Sequence, residues 1–166
     1  MGDLSELFRN EQKTESKTEP KSEPKPSDGK KKVLFICTGN SVRSQMAEAL
    51  LKAHAGDIFD VHSAGITPAG VHRLTKQVMA EIGISMEGHH SIHVNEYADT
   101  EFDYVIPLCE VAVLSCPDFP GESKRINWYI DDPIRILGDE ERKLMAFRIT
   151  RNILKQKVKT FISENG

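Results

Sequence analysis

Apolar and polar positions along this chain change period in a regular order. A continuous apolar run, Val33–Cys37, suits a strand buried on both faces. A short polar loop follows, and then Met46, Ala47, Leu50 and Leu51 fall on one face of a helix. Ile58–Ser63 alternates as a second strand does, and Ala64-Gly65 ends it. Thr67-Pro68 with Gly70 turns into a second helix, with Leu74, Val78 and Ile82 at every fourth residue and Gly83 as its stop. Tyr104–Leu108 reads as a third strand, entered from an acidic stretch, and Lys124–Ile130 as a fourth around Trp128. The last element, Asp139–Ile162, is a long helix with Phe147, Leu154, Val158 and Phe161 on one stripe. Strands alternating with helices predict an α/β fold, a four-stranded parallel sheet with helices on both faces. Ligands of such sheets sit at the carboxyl ends of the strands. Cys37, Cys109 and the loop after Trp128 all fall there.

Residues 1–32 are of another kind. From Lys13 to Lys32 the units KTES, KTEP and KSEP recur with no large apolar residue, so this stretch cannot bury enough surface to offset its ordering entropy. A disordered, Pro-stiffened tail over 1–32 is expected, followed by one domain over 33–166. Leu4, Leu7 and Phe8 have helical spacing and read as a frayed end. Lys30–Lys32 read as a solvated approach to the first strand, because Glu and Asp offset the tail's lysines. Met1-Gly2 lacks the Ser or Thr that myristoylation wants at position six, where Glu6 stands.

The 166 residues carry a net charge of −3 and 39% apolar side chains, which is ordinary for one globular domain. There is no basic stripe for nucleic acid or anionic lipid, no secretory h-region, and no apolar run near the roughly 18 residues of a membrane span. Three cysteines, an odd number, point to working thiols in a reducing compartment. A cytoplasmic monomer is expected.

The chemistry concentrates between the first strand and the first helix, in Cys37-Thr38-Gly39-Asn40-Ser41-Val42-Arg43-Ser44. A loop curling into a helix N-terminus points several backbone N–H groups at one spot, and the helix dipole adds positive potential there. The guanidinium of Arg43 matches two oxygens of a tetrahedral anion. Gly39 permits a positive φ and Asn40 tolerates one. Ser44 is placed as a helix cap or as a hydroxyl donor to a neighbouring sulfur. The same field favours the thiolate of Cys37, a nucleophile. Alone, either residue would read as a strand end or a surface cation; together at this spacing they read as an oxyanion cradle with its nucleophile.

This segment resembles the signature loop shared by low-molecular-weight protein tyrosine phosphatases and the thioredoxin-coupled arsenate reductases. The continuation Arg43-Ser44-Gln45-Met46-Ala47-Glu48 is similar to the reductase branch, since phosphatases of this fold usually carry Pro directly after the Arg-Ser pair. The resemblance runs from about Val33 to the C-terminal helix, and it implies a low-molecular-weight phosphatase-like fold.

Cys109 and Cys116 are the second informative feature. In a continuous helix they would lie about 10.5 Å apart along the axis, whereas a disulfide needs Cα atoms within about 7 Å. Pairing therefore requires the segment to loop or unwind, and Pro117 helps stop a helix there. Buried cysteines also serve as small hydrophobes; what distinguishes these two is that the resemblance places two further redox cysteines after this strand at this spacing.

In Trp128-Tyr129-Ile130-Asp131-Asp132-Pro133, a carboxylate before Pro is held on extended backbone. Asp132 matches the family's general acid, and Asp131 could instead cap a turn. Ile134-Arg135 stand where the phosphatases commonly have tyrosines. His89, His90 and His93 read as a polar loop rather than a metal site. Some of the reductases bind potassium; Asn40, Glu48 and Ser63 match parts of that site, and Ile92 stands where its carboxylate would be.

The resemblance thus implies arsenate as substrate, a phosphate-like oxyanion held by residues 38–44. In the implied relay Cys37 attacks arsenic, Arg43 holds the oxygens, Asp132 protonates the departing oxygen, Cys109 attacks Cys37, and Cys116 attacks Cys109. Thioredoxin is the implied reductant, and no metal or organic cofactor is required. The alternatives are a phosphatase working through a phosphocysteine, and a non-enzymatic thiol or metal sensor.

Overall fold

The structure, a computed structural model, describes residues 29–166. The expectations for the tail, including Leu4, Leu7 and Phe8, lie outside the described residues except at its last few positions. There, Lys31 and Lys32 belong to the first strand, β1 (Lys31–Cys37), which therefore starts two residues before the apolar run. Their side chains do not need burial to join a ladder: Lys31↔Phe59 and Lys32↔Asp60 pair across to β2 (Phe59–Gly65).

β1 is followed by α1 (Arg43–Ala55), β2 by α2 (Arg73–Ala80), and β3 (Tyr104–Pro107) by the short α3 (Glu110–Ser115). After β4 (Lys124–Arg125) come a 3-10 turn at Pro133–Arg135 and the long α4 (Glu140–Asn165), capped by the Asp139 carboxylate on Arg142 N at 2.9 Å. All strands are parallel, in the order β2-β1-β3-β4. The five consecutive apolar residues of β1 are buried because β1 is central and covered on both faces.

Alternate residues of β1 enter two cores. Val33, Phe35 and Cys37 pack with α1, with Leu74, Val78 and Met79 of α2, and with the α4 stripe Phe147, Leu154, Val158 and Phe161. Burying each of those α4 side chains is worth about 2 kcal/mol. Leu34 and Ile36 face the opposite side, with Val94, Phe102, Val105, Ala112 of α3 and Phe119. Helices thus cover both faces of the sheet.

Two elements are shorter than the apolar pattern indicates. α2 stops at Ala80, although Ile82 still packs on the core and Gly83 takes φ 80. The expected fourth strand, Lys124–Ile130, is a ladder only at Lys124 and Arg125. Beyond them Ile126 N, Trp128 N and Ile130 N donate to Val105 O, Pro107 O and Leu108 O at 3.0, 2.9 and 3.0 Å, so the chain stays extended beside β3. Pro107 has no N–H to return to this edge, and the ladder cannot be completed there.

α2 is tied to α4 by ions. Arg151, only 8% exposed, donates to Val78 O and Glu81 Oε1, both at 2.8 Å, and Arg148 grips both oxygens of Glu81. Arg148 first, and then Arg151, hold the Glu81 carboxyl down at about 2, below its ordinary 4.5. A carboxyl lowered by folding contributes stability above its unfolded value and loses it as pH falls through its folded value. The Glu81→Gln variant should therefore be less stable near neutrality and should lose less stability than wild type between pH 4.5 and 2, as read by thermal unfolding across that range.

Candidate active site

Cys37 ends β1 and Arg43 opens α1, with the loop between them packed against the end of β2. A Cβ on Gly65 would stand 2.8 Å from Asn40 N and 2.9 Å from Asn40 Cβ, so only glycine lets the loop lie this close to the sheet. The left-handed residue of the loop is Asn40 (φ 48), not Gly39. Asn40 is fully buried, and its side chain is spent on the loop: Oδ1 accepts from Ile92 N at 2.9 Å, and Nδ2 donates to Ser44 Oγ at 2.8 Å and Ser63 Oγ at 2.9 Å.

Ser44 Oγ accepts from Asn40 Nδ2 and lies 3.0 Å from Cys37 Sγ, where its hydroxyl hydrogen can donate to a thiolate. Ser44 thus sits against the sulfur and is not a helix cap. The N-cap of α1 is Val42, which makes no side-chain capping bond. Among the described residues, the N–H groups of residues 39–42 meet no acceptor, although Asn40, Ser41 and Val42 are buried. Buried donors left open at a helix start form an anion site.

The Arg43 guanidinium, 6% exposed, points across this opening. Nη1 donates to Ile130 O at 3.0 Å and Nη2 lies 3.4 Å from Asp132 Oδ2. Two of the five donors a guanidinium carries are thus engaged by the 130–132 loop, and the rest remain for a ligand. The turn cap expected of Asp131 is made instead by Asp132, Oδ1 accepting from Ile134 N at 3.0 Å. A cleft of about 450 Å³ lies over these groups, and Thr38, Arg43, Cys109, Asp131, Asp132 and Arg135 are among the residues lining it.

Cys109 enters the same cleft as the N-cap of α3, its Sγ 3.4 Å from Thr38 Oγ1. Thr38 comes directly after Cys37, so this contact brings the second thiol against the loop that carries the first. No sequence spacing signals it, because the two residues meet only through the β1·β3 pairing. Cys116 caps the other end of α3. Burial, its largest influence, raises the Cys116 thiol above its ordinary value, with Asp118 adding to the rise and Arg125 opposing it. All three cysteines are free, and the helix between Cys109 and Cys116 must open before those two can join.

The residues matching parts of a potassium site do not fit one here. Ser63 Oγ, which accepts from Asn40, gives its proton to Glu48 Oε1 at 2.5 Å, and the Lys52 ammonium takes Glu48 Oε2 at 2.7 Å. Ile92 contributes backbone only. The histidines are likewise occupied: His89 Nδ1 donates to Gln45 Oε1, His90 Nδ1 faces Gly88 O, and His93 caps a 3-10 turn at Val94–Tyr97. Among the described residues no three His, Cys, Asp or Glu side chains converge as a metal site. No helix among them is long and apolar enough to cross a membrane.

A buried cysteine and a buried arginine bracket the loop at the carboxyl end of a parallel strand, the layout of a candidate thiol-based site. The chain belongs to the low molecular weight phosphotyrosine protein phosphatase family, whose profile matches residues 32–165. Within that family it resembles the arsenate reductases. It is 40% identical over 137 residues to an arsenate reductase of Halalkalibacterium halodurans, covering 82% of this chain and 98% of the relative. To that of Bacillus subtilis it is 38% identical over 136 residues, covering 82% and 97%. A solved structure described as an arsenate reductase in the phosphate binding state superposes with a TM-score of 0.71 at 31% identity, over 82% of this chain and 99% of that one. The tyrosine phosphatase Wzb of Escherichia coli K30, solved with sulphate, shares the fold at a TM-score of 0.65 and 20% identity, over 81% and 98%.

Proposed function

We propose that this chain reduces arsenate to arsenite with its three thiols and is regenerated by thioredoxin. The observation that carries the reading is the meeting of Cys109 with the Cys37 loop through Thr38, over a cradle of open N–H groups. A hydrolytic phosphatase has no use for a second thiol there.

Cys37 thiolate attacks arsenic while the loop amides and Arg43 hold the oxygens, and one oxygen leaves as water with a proton from Asp132. Cys109 thiolate then attacks Cys37 Sγ. The sulfur–arsenic bond breaks with its electron pair staying on arsenic, so arsenite departs and a Cys37–Cys109 disulfide remains. Cys116 attacks Cys109 Sγ, Cys37 leaves as thiolate, and the disulfide now joins Cys109 to Cys116. Burial keeps Cys116 a thiol at rest, so α3 must open both to free it and to bring it to Cys109. Thioredoxin dithiol reduces the final pair, and the two electrons balance.

The relay is tested without any added reductant. One equivalent of arsenite per chain should form from reduced protein, with two of its three thiols consumed. Hydrolysis of an aryl phosphate with no thiol consumed by arsenate would favour the phosphatase. The Asp132→Asn variant should lower the rate of this single turnover by about 10²-fold or more, the usual scale of a lost general acid. An unchanged rate by rapid quench would remove Asp132 from the chemistry.

A further inference from the structure

The cradle presents its N–H groups inward because its carbonyls are held outward. Thr67 N takes Thr38 O at 2.8 Å, Ala69 N takes Gly39 O at 2.9 Å, and Met46 N takes Val42 O at 2.9 Å. Ser41 O accepts from His72 N at 3.1 Å and Thr75 Oγ1 at 3.0 Å. The carbonyl of Asn40 differs: its donors are side chains alone, Gln45 Nε2 at 3.3 Å and Ser91 Oγ at 2.6 Å. In a trans peptide the carbonyl of one residue and the N–H of the next point opposite ways. Holding Asn40 O outward therefore holds Ser41 N–H inward.

Two further features make this peptide dependent on its holders. Asn40 sits at φ 48, a conformation that a residue with a Cβ leaves when nothing over-determines it. Gln45, in the first turn of α1, has no exposed surface. Its amide cannot be turned around, because Nε2 also donates to His90 O at 3.1 Å while Oε1 accepts from His89 Nδ1 at 3.0 Å. The 89–91 loop thus aims Gln45 from one side and supplies Ser91 from the other.

We propose that Gln45 and Ser91 are positioning residues that keep the Asn40–Ser41 peptide from turning over. Released, the peptide would put a carbonyl where the anion's oxygen belongs. The inference rests on reading the loop as an oxyanion cradle, and the test separates the two.

The probe is inorganic phosphate, measured by its protection of Cys37 from iodoacetamide in the full chain, with the alkylated peptide followed by mass spectrometry and the melting temperature taken in parallel. Ser91→Ala should raise the phosphate concentration for half-protection about fivefold, and Ser91→Ala with Gln45→Leu about thirtyfold, the scale of one and two lost hydrogen bonds. Ser91→Thr, which keeps the hydroxyl, should stay within about twofold of wild type. If the double variant does not fold, the Ser91→Ala and Ser91→Thr pair decides alone. Folded Ser91→Ala protected at wild-type phosphate concentrations would overturn the proposal. Phosphate failing to protect Cys37 in wild type would instead overturn the oxyanion reading.

Discussion

Cys37→Ser is expected to reduce arsenate-dependent turnover to background, a loss on the order of 10⁴-fold or more, while the protein stays folded. A serine hydroxyl is not ionised near neutrality and has no base beside it in this loop. Ser44 Oγ, 3.0 Å from Cys37 Sγ, is a neutral hydroxyl and no general base. The substituted oxygen is also unable to form the disulfide that carries electrons to arsenic. Phosphate should still bind, because the amides of residues 39–42 and Arg43 are untouched. Arsenite production above background by this variant would mean that another thiol is the nucleophile.

Cys116→Ser should behave differently, and in a way that separates a relay from a simple nucleophile. Cys37 and Cys109 are both intact, so arsenate should be reduced once per chain and the protein should then stall with those two residues bonded. One sulfur of that bond would be buried, since Cys37 is 2% exposed. Moving the disulfide to Cys109 and Cys116, both partly exposed, and opening α3 would present it to a protein reductant. Peptide mapping after arsenate treatment should find the Cys37–Cys109 cross-link in this variant. In wild type it should find Cys109–Cys116. Steady multiple turnover of Cys116→Ser with thioredoxin would contradict the third step.

Much of the fold was legible because burial on both faces leaves a plain signature. The run Val33–Cys37 marks the central strand, and the stripe through Phe147, Leu154, Val158 and Phe161 marks the helix that covers it. Boundaries were less legible where the deciding contact is distant. Lys31 and Lys32 are strand residues through pairing with β2, which their polarity conceals. The fourth strand is cut short by a proline on its neighbour rather than by anything in Lys124–Ile130.

The site divides in the same way. Cys37, Arg43 and the residues between them are contiguous, so one loop declares them. Asp132 carries the signal of its proline. Thr38 against Cys109 and Ser91 against Asn40, by contrast, are side-chain contacts made by tertiary packing, and nothing in the residue types announces them. The histidines form an eye-catching cluster in the chain, yet each turns to a separate partner in the fold.

The central claim, that arsenate is reduced by a thiol relay and not merely bound, is tested most directly by NADPH consumption. The purified chain is incubated with thioredoxin and thioredoxin reductase, with and without arsenate, beside its Cys109→Ser variant. Repeated NADPH oxidation that needs both arsenate and Cys109 is the result predicted. Absence of arsenate-dependent oxidation in wild type, with an aryl phosphate hydrolysed at equal rates by wild type and Cys109→Ser, would contradict it and leave a phosphatase in its place.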